Sequence, residues 1–519
     1  MSIRLLSLSC MHPITMIRRS AALVATALCA LSAHAKPGCH DDLKVQTAGG
    51  VVHGIIDEAT PAVRQFLGIP YARPPVDQLR FAPPQPALPF GDLDASDLGP
   101  SCVQSAITMP SIMTRDVLEL NVGGLNGTTG PVSEDCLTLS IWAPRSNVSS
   151  SASTTGDLLP VLVWFYGGAF ATGSTDVPYQ IPAEWIQRTQ GHIVVSFNHR
   201  GDIFGYPNAA GLPADELNVG LLDQRLALEW VRDNIASFGG DPERFGAFGH
   251  SSGGCSIAYH SYAFKDDPIV NSAIMHSGNE FIDVLTRDSS HANFTFVASN
   301  VGCGGLDASE ELSCMRQVDA LQIRDFIKSY TDTGTTPILT FSPVIDGTTV
   351  FDDYVSRAEA GDVAHLPSLL GSTSQDGVPF VPYDPDGIDE EAADLTTSFF
   401  FFCPSRLAAQ TRIAARTGPV YRYLYSGDFP NISPRPWMGA WHGAELPLVF
   451  GTHPLYRGPS TELEYATSRA MQDAWVAFVA SAGRETSVEG WEDGGQVVEF
   501  GNQVAARIID TSDLEQACG

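Results

Sequence analysis

The chain has 519 residues and a formal net charge of −29 at pH 7, with 59 Asp and Glu against 30 Lys and Arg. So acidic a surface argues against nucleic acid and anionic membranes as partners and disfavours polyanionic substrates, so we expect a neutral ligand. The cysteines do not form the paired Cys-x-x-Cys clusters of a zinc site, and no metal is expected.

The N-terminal segment, residues 1–35, has the pattern of a secretory signal peptide. Arg18 and Arg19 precede an apolar run at 21–31, and the small-residue sequence Ala-His-Ala follows at 33–35. We therefore expect cleavage after Ala35. No later run approaches the roughly eighteen apolar residues of a membrane span, which predicts a secreted, extracellular protein without a stable membrane anchor.

The mature chain, residues 36–519, is predicted to be a single domain, because it shows no internal repeat and no long linker. Short strands come first, and buried-type strands then alternate with helices, which favours a mostly parallel sheet covered on both faces. In chain order the predicted strands are 51–56, 66–69, 137–142, 161–165, 193–197, 245–248, 273–275, 366–370 and 420–424.

A helix is predicted at about 220–237. Leu222, Leu226 and Trp230 recur four apart along it and form an apolar stripe. This spacing predicts that the stripe lies on the sheet.

N-glycosylation sequons occur in this exported chain and predict surface loops if they are used, with coincidence as the alternative reading. Their acceptor residues are Asn126, Asn147, Asn293 and Asn431.

The strongest chemical motif is Gly-His-Ser-Ser-Gly at 249–253, between the strand at 245–248 and a following helix. A sharp strand-to-helix turn of this kind exposes a nucleophilic serine and aims helical N–H groups at the reacting carbonyl. Ser251 is therefore the candidate nucleophile. The pattern alone is weak, and its position after a buried strand carries the argument.

Acyl transfer needs hydrogen-bond donors for the developing oxyanion, on a loop leaving a neighbouring strand. The sequence Tyr-Gly-Gly-Ala at 166–169 follows the strand at 161–165. We assign the donors to the N–H groups of Gly168, Ala169 and Ser252. A glycine turn that serves packing alone is the competing reading.

A serine nucleophile also needs a base held by an acid, which in such a sheet follow in the order serine, acid, histidine. His442, in a loop after the strand at 420–424, fits best as the base. His276 lies in an apolar strand and His260 on a helix, where other roles are more common. For the acid, spacing alone does not separate Asp376 from Asp346.

The ordered motifs resemble the type-B carboxylesterase and lipase family, which includes the cholinesterases and has the α/β-hydrolase fold. The resemblance covers nearly all of the mature chain. The motifs that carry it are FLGIPYARPP at 66–75, LRF at 79–81, SEDCLTL at 133–139, YGG at 166–168, NVGLLDQR at 218–225, FGGDP at 238–242, GHSSG at 249–253, SG at 277–278, PVIDG at 343–347 and HGAEL at 442–446. It implies that Ser251, Asp376 and His442 form a catalytic triad, and that Asp346 belongs to a structural motif. It also places Ser277 and His250 beside the triad.

The same resemblance implies structural ion pairs and disulfides. The ion pairs are Arg80 with Glu134 and Arg200 with Asp223, and the disulfides are Cys102 to Cys136, Cys303 to Cys314 and Cys403 to Cys518. Cys39 and Cys255 are left over, and we expect Cys255 to be a free core thiol.

The chain departs from the family pattern at three positions. Asp376 stands where most members have glutamate, and Ala169 where they usually have glycine, so its methyl group is expected to narrow the acyl side. His250 replaces the glutamate that helps cholinesterases hold a cation, which argues against a choline-ester specialist. The loop at 103–120 carries Met109, Val117 and other apolar residues, and it resembles either a lipase lid or ordinary packing over the cleft.

The sequence thus predicts a secreted serine hydrolase of carboxylic esters, acting on a small-molecule or lipid ester without metal or organic cofactor. One alternative is a lid-bearing lipase for long-chain esters. The other is a non-catalytic binding protein on the same fold.

Overall fold

A ten-stranded mixed β-sheet lies at the centre of the computed structural model. The signal segment, Cys39 and the sequons at Asn126 and Asn147 fall outside the residues that the structure describes. Those residues are 42–104, 110–117, 132–145, 158–336, 338–455 and 457–518.

The strands are short and mostly buried. In chain order they are β1 (Lys44–Gln46), β2 (Gly50–His53), β3 (Val63–Pro70), β4 (Gly91–Asp94), β5 (Ser101–Cys102), β6 (Val132–Ser133), β7 (Thr138–Pro144), β8 (Leu159–Phe165), β9 (Ile193–Phe197), β10 (Gly240–His250), β11 (Ser272–His276), β12 (Ser368–Thr373), β13 (Val420–Tyr425), β14 (Val497–Phe500) and β15 (Ala506–Ile509).

The helices surround this sheet. They are α1 (Ile112–Arg115), α2 (Ala183–Thr189), α3 (Asp202–Gly205), α4 (Val219–Asn234), α5 (Ser252–Ala263), α6 (Ala292–Asn300), α7 (Ala308–Met315), α8 (Ala320–Asp332), α9 (Tyr354–Ala360), α10 (Glu390–Thr396), α11 (Cys403–Ala415), α12 (Leu446–Phe450), α13 (Glu462–Ala480) and α14 (Ser512–Gln516). Short 3₁₀ turns occur at Asp77–Leu79, Pro178–Gln180, Ala214–Glu216, Ile235–Phe238 and Val378–Phe380, and Thr397–Phe402 is a π-helix.

The strand order across the large sheet is β15-β14-β13-β12-β11-β10-β8-β9-β7-β3. Neighbours from β9 to β14 are parallel, while β7 is antiparallel to β3 and β9, and β15 is antiparallel to β14. β1, β2 and β4 form a small N-terminal sheet. The predicted α/β-hydrolase architecture, with a mostly parallel sheet and helices around it, is confirmed.

Side chains of the central strands pack into two apolar cores, one on each face of the sheet. On β8, Leu162 and Trp164 enter one core cluster, whereas Val163 and Phe165 enter the other. This follows from the two-residue period of a strand, which sends successive side chains to opposite faces. Because both faces are covered, the strand must be apolar almost throughout, as its sequence is.

The predicted contact face of the helix at 220–237 is confirmed only in part. Helix α4 forms at Val219–Asn234, and Leu226 and Trp230 pack against one core of the sheet, but Leu222, Leu226 and Trp230 are all only half-buried. The buried face instead contains Asp223 and Gln224, beside apolar residues such as Leu228 and Val231. Polar partners elsewhere in the chain allow these groups to be buried, as the ion pair below illustrates.

Ion pairs and disulfides fix the loops around the sheet. The Arg80 guanidinium donates to both Glu134 carboxylate oxygens at 2.6 Å, and that of Arg200 donates to those of Asp223 at 2.7 and 2.8 Å. Asp223 is fully buried, so loss of its partner would leave an uncompensated charge in the interior. The disulfides of the described residues join Cys102 to Cys136, Cys303 to Cys314 and Cys403 to Cys518.

The surface position expected for Asn431 is wrong. Its side chain is buried, and its amide nitrogen donates to the His453 carbonyl, to Ser460 Oγ and to Glu464 Oε1. A glycosylation acceptor must be exposed, which this amide is not. Asn293 is half-buried, and its amide donates to the Thr340 carbonyl at 3.1 Å.

Across the described ranges, we find no helix whose length and apolar character would let it cross a bilayer.

Candidate active site

Ser251 occupies the turn between β10 and α5, with backbone angles φ 54° and ψ −123°. Positive φ at a non-glycine residue is strained and persists only where its surroundings enforce it. Here the Ser251 N–H donates to the His276 carbonyl at 2.8 Å, and its carbonyl accepts from the Cys255 N–H at 3.0 Å. Both bonds hold the nucleophile candidate in this turn.

The turn is possible only because glycines surround it. A Cβ on Gly253 would lie 2.0 Å from the Phe165 carbonyl oxygen, and one on Gly278 would lie 2.0 Å from the Ser251 carbonyl oxygen. Neither backbone oxygen can move aside cheaply. Glycine at these two positions therefore allows the main chain to pass the nucleophile closely.

The loop after β8 brings the expected oxyanion donors to the same place. Gly168 and Ala169 have positive φ values of 127° and 55°. Within the described residues, no acceptor is recorded for the backbone N–H groups of Gly168, Ala169 or Ser252. Ala169 and Ser252 line one cavity together with Ser251. These N–H groups are thus available to a substrate oxygen.

Asp376 and His442 are brought together from the loops after β12 and β13. The His442 Nδ1 atom lies 2.8 Å from Asp376 Oδ1. The other carboxylate oxygen accepts from Ser277 Oγ at 2.9 Å and from the Thr373 backbone N–H at 2.8 Å. Asp376 is fully buried, so these donors replace its lost hydration.

The His442 ring stands behind the cavity wall. Phe380 and Phe401 both line the cavity, and their ring centroids lie 5.1 and 4.8 Å from that of His442. Its Nε2 atom is buried and has no hydrogen-bond partner among the described residues. No hydrogen bond joins Ser251 Oγ to His442 in this ligand-free structure, where such catalytic contacts are often long.

His250 packs its ring against His442, with centroids 4.3 Å apart. Burial, followed by the neighbouring His442 and His276 rings, holds the pKa of His250 well below its ordinary value. His250 is therefore neutral at physiological pH. A neutral ring therefore packs against His442.

The alternative acid and bases occupy other sites. Asp346 Oδ1 accepts from the backbone N–H groups of residues 348–350, and its Oδ2 accepts from Thr349 Oγ1. His260 Nε2 lies 3.0 Å from Gln224 Oε1. His276 Nε2 accepts from the Trp475 indole at 2.9 Å. Asp346 thus stabilises its own turn, and both histidines are held by core partners.

The cavity in front of Ser251 has a volume of about 290 Å³ and is mostly apolar. Sequence reasoning missed its aromatic wall, which is formed by Phe380, Phe400 and Phe401. The run Thr-Ser-Phe-Phe-Phe-Phe at 397–402 was the available signal. Cys255, unpaired and buried, also lines the cavity, and burial raises the pKa of its thiol to about 12.

The segment considered as a lid is partly described, at residues 103–104 and 110–117. Ile112 and Val117 are buried in the core cluster that contains Trp441. The Asp116 carboxylate is bound by Arg435 at 2.8 Å. These contacts favour ordinary packing over a mobile flap for this part of the loop, and Met109 and Leu118 lie outside the described residues.

In the described part of the chain, no three His, Cys, Asp or Glu side chains are grouped so that they could hold a metal ion.

Taken together, a parallel sheet with a strained serine after its central strand, and an acid and a histidine after later strands, defines an α/β-hydrolase. A profile described as "Carboxylesterase family" matches residues 41–394 and 384–497. This chain belongs to the carboxylesterase family, which confirms the resemblance drawn from its motifs.

Known relatives are similar over most of their length. A chlorogenic acid esterase of Aspergillus niger is 43% identical over 440 residues, 85% of this chain and 83% of that protein. Secreted lipase 5 of Gibberella zeae is 37% identical over 470 residues, 86% of this chain and 87% of that protein. An acetylcholinesterase of Bungarus fasciatus is 30% identical over 496 residues, 85% and 79% of the two chains. The chain is a carboxylic-ester hydrolase.

Proposed function

We propose that this protein hydrolyses carboxylic esters through an acyl-enzyme on Ser251, with His442 as general base and acid and Asp376 as the triad acid. The observation that carries this proposal is the arrangement of the proposed nucleophile, oxyanion donors and base around one cavity. Ser251, in a strained turn, faces it beside two unengaged backbone donors, and the Asp376-bound His442 ring packs against its wall.

In the first half of the reaction, His442 Nε2 takes the proton of Ser251 Oγ as the oxygen attacks the ester carbon. The negative charge that develops on the carbonyl oxygen is stabilised by the N–H groups of Gly168, Ala169 and Ser252. Protonated His442 then gives its proton to the leaving alcohol. Water repeats the sequence on the acyl-enzyme and releases the acid.

Asp376 determines which nitrogen of His442 carries the proton. Its Oδ1 lies 2.8 Å from Nδ1, so the ring keeps its hydrogen there and presents a lone pair from Nε2. The carboxylate also stabilises the imidazolium that forms during each half-reaction. Ser277 and Thr373 hold the second carboxylate oxygen and so orient the first.

The site favours uncharged esters. Its cavity is mostly apolar, and neutral His250 supplies no charge to attract a cationic alcohol. The overall charge of −29 repels anionic substrates at a distance. The Aspergillus niger relative is named for chlorogenic acid, an ester with a free carboxylate near neutral pH, so a comparison of that acid with its uncharged methyl ester tests this preference.

Replacement of Ser251 by alanine tests the proposal. The S251A protein should fold normally and lose turnover of p-nitrophenyl acetate, and a fluorophosphonate should label the wild-type enzyme at Ser251 only. S290A is the matched control, because Ser290 lies in an exposed loop and its hydroxyl donates to Asp288. Wild-type turnover by S251A would refute the assignment, whatever the substrate.

We also propose that the mature enzyme is extracellular. The disulfides of the described chain are of the kind that persists in oxidising compartments, and one relative is named a secreted lipase. N-terminal sequencing of protein from culture medium should begin at Lys36. Retention of residues 1–35 on the exported protein would contradict the cleavage site.

A further inference from the structure

Exposed apolar side chains gather at the mouth of the catalytic cavity. Phe380, Leu395, Phe399 and Phe400 are 55%, 51%, 61% and 48% exposed. Single exposed apolar residues are ordinary, whereas a contiguous group beside a cavity marks a binding surface. We call these four residues the aromatic rim.

The aromatic rim is continuous with the cavity. Phe380 and Phe400 belong to its wall, together with Thr396 and the nucleophile Ser251. Leu395 and Phe399 are adjacent in sequence to Thr396 and Phe400, so they continue the same helical segment outward. Phe401 supports the rim from behind, with its ring 5.4 Å from that of Phe380.

The rim is built on an irregular piece of helix. Helix α10 ends at Thr396, the π-helix Thr397–Phe402 follows at once, and α11 then begins at Cys403. A π-helical stretch changes the direction of side chains within a helix and occurs frequently at functional sites. Here it leaves Phe401 and Phe402 buried and Phe399 and Phe400 in solvent.

The cavity is small for a site that must receive both halves of an ester. Its volume of about 290 Å³ is at the lower end of the range for ligand pockets, roughly 300–1,000 Å³. Because the alcohol group shares this space with the acyl group, the distal part of a longer acyl group is directed toward the mouth. The surface that it meets there is the aromatic rim.

The charges around the rim restrict what it binds. Glu390, Glu391 and Asp394 are exposed on the preceding helix, and the whole chain is strongly acidic. An anionic headgroup or lipid surface would be repelled at this site. The occupant is therefore uncharged as well as apolar.

We propose that the aromatic rim is an extended subsite that binds the distal methylene groups of uncharged, medium-chain acyl esters, while the carbonyl end reacts in the cavity. The proposal rests on the proposed function for its chemistry at Ser251. A fully buried methylene group contributes about 0.8 kcal/mol, about fourfold in a rate or binding constant. A methylene group covered on one side only should contribute about twofold.

The experiment compares p-nitrophenyl acetate with p-nitrophenyl octanoate, both below their solubility limits. In the F399S/F400S double variant, the ratio of kcat/KM for octanoate to kcat/KM for acetate should fall about tenfold from the wild-type ratio. L88S is the matched control, because Leu88 is 67% exposed in a different surface groove. Its ratio should equal that of the wild type.

A binding measurement separates this proposal from the catalytic one. On S251A protein, which is expected not to turn the ester over, the dissociation constant of p-nitrophenyl octanoate should rise about tenfold when F399S and F400S are added. If the double variant does not fold, F399S alone replaces it, because Phe399 does not line the cavity. F399S should show a smaller fall in the kcat/KM ratio and a smaller rise in the dissociation constant. An unaltered ratio and an unaltered dissociation constant would overturn the subsite, whereas turnover by S251A itself would overturn only the proposed function.

Discussion

Replacement of Asp376 by asparagine should remove nearly all turnover while the fold survives. The Thr373 N–H and Ser277 Oγ both contact Asp376 Oδ2 at 2.8 and 2.9 Å. Because a backbone N–H can only donate, the amide oxygen of the D376N side chain must face Thr373, and its NH₂ group must then face His442. That donor forces the His442 proton from Nδ1 to Nε2, so the ring cannot accept the proton of Ser251.

In a serine triad, the wrong histidine tautomer lowers kcat about ten-thousandfold, which corresponds to about 5 kcal/mol in the activation free energy. The assay is kcat for p-nitrophenyl acetate near neutral pH, with KM expected to change little. D346N is the matched control, because Asp346 holds its own turn through the N–H groups of residues 348–350. It should lower stability but keep kcat near the wild-type value. Asp376 does not set the His442 tautomer if kcat of D376N falls less than about tenfold, or if kcat of D346N falls more than that of D376N.

Three further outcomes are expected. S277A removes one hydrogen-bond donor from the buried Asp376 carboxylate. Because a hydrogen bond to a charged group contributes about 1.5–3 kcal/mol, kcat should fall about tenfold to a hundredfold while KM stays constant. Burial lowers the pKa of His199 to about 3, so the unfolded chain takes up a proton below about pH 6.5 that the native state does not. When the pH is lowered from 7 to 5, the unfolding free energy measured with urea should therefore fall by about 2 kcal/mol less for H199F than for the wild type. C518S opens the disulfide to Cys403, which spans 115 residues, and should lower the unfolding free energy by about 4 kcal/mol.

Each of these outcomes has its own contrary result. A rise in KM with constant kcat would show that Ser277 acts on substrate binding rather than on the carboxylate. Equal acid sensitivity of H199F and the wild type would show that His199 takes up its proton in the native state. For C518S, an unchanged denaturant midpoint under oxidising conditions would show that the bridge restrains little of the unfolded chain.

The positions of Ser251 and His442 could be predicted because both follow buried parallel strands, whose carboxyl ends meet at one edge of the sheet. The acid could not be chosen from the residues alone. Asp376 and Asp346 each stand beside a glycine in a turn, and only the structure shows that Asp376 contacts His442 whereas Asp346 contacts its own turn and Asn218. The family resemblance separated them.

Other features depended on partners that are distant in sequence. The apolar stripe of α4 is only half-buried because the fully buried face contains Asp223 and Gln224, whose partners, such as Arg200 and His260, come from other elements. The sequon at Asn431 looked like a surface site for the same reason. The aromatic wall could not be located either, since a run of phenylalanines predicts burial without saying which rings remain outside.

The disulfide between Cys403 and Cys518 has a consequence for how the enzyme is produced. Cys403 directly follows the π-helix that carries Phe399 and Phe400 of the aromatic rim, so the bridge to Cys518 holds the end of this helix in place. Protein made in a reducing host compartment, or truncated before Cys518, would lack that tether. We expect such preparations to differ from the oxidised enzyme in acyl-chain preference as well as in stability during storage. Substrate profiles are therefore comparable only between samples with the same content of free thiols.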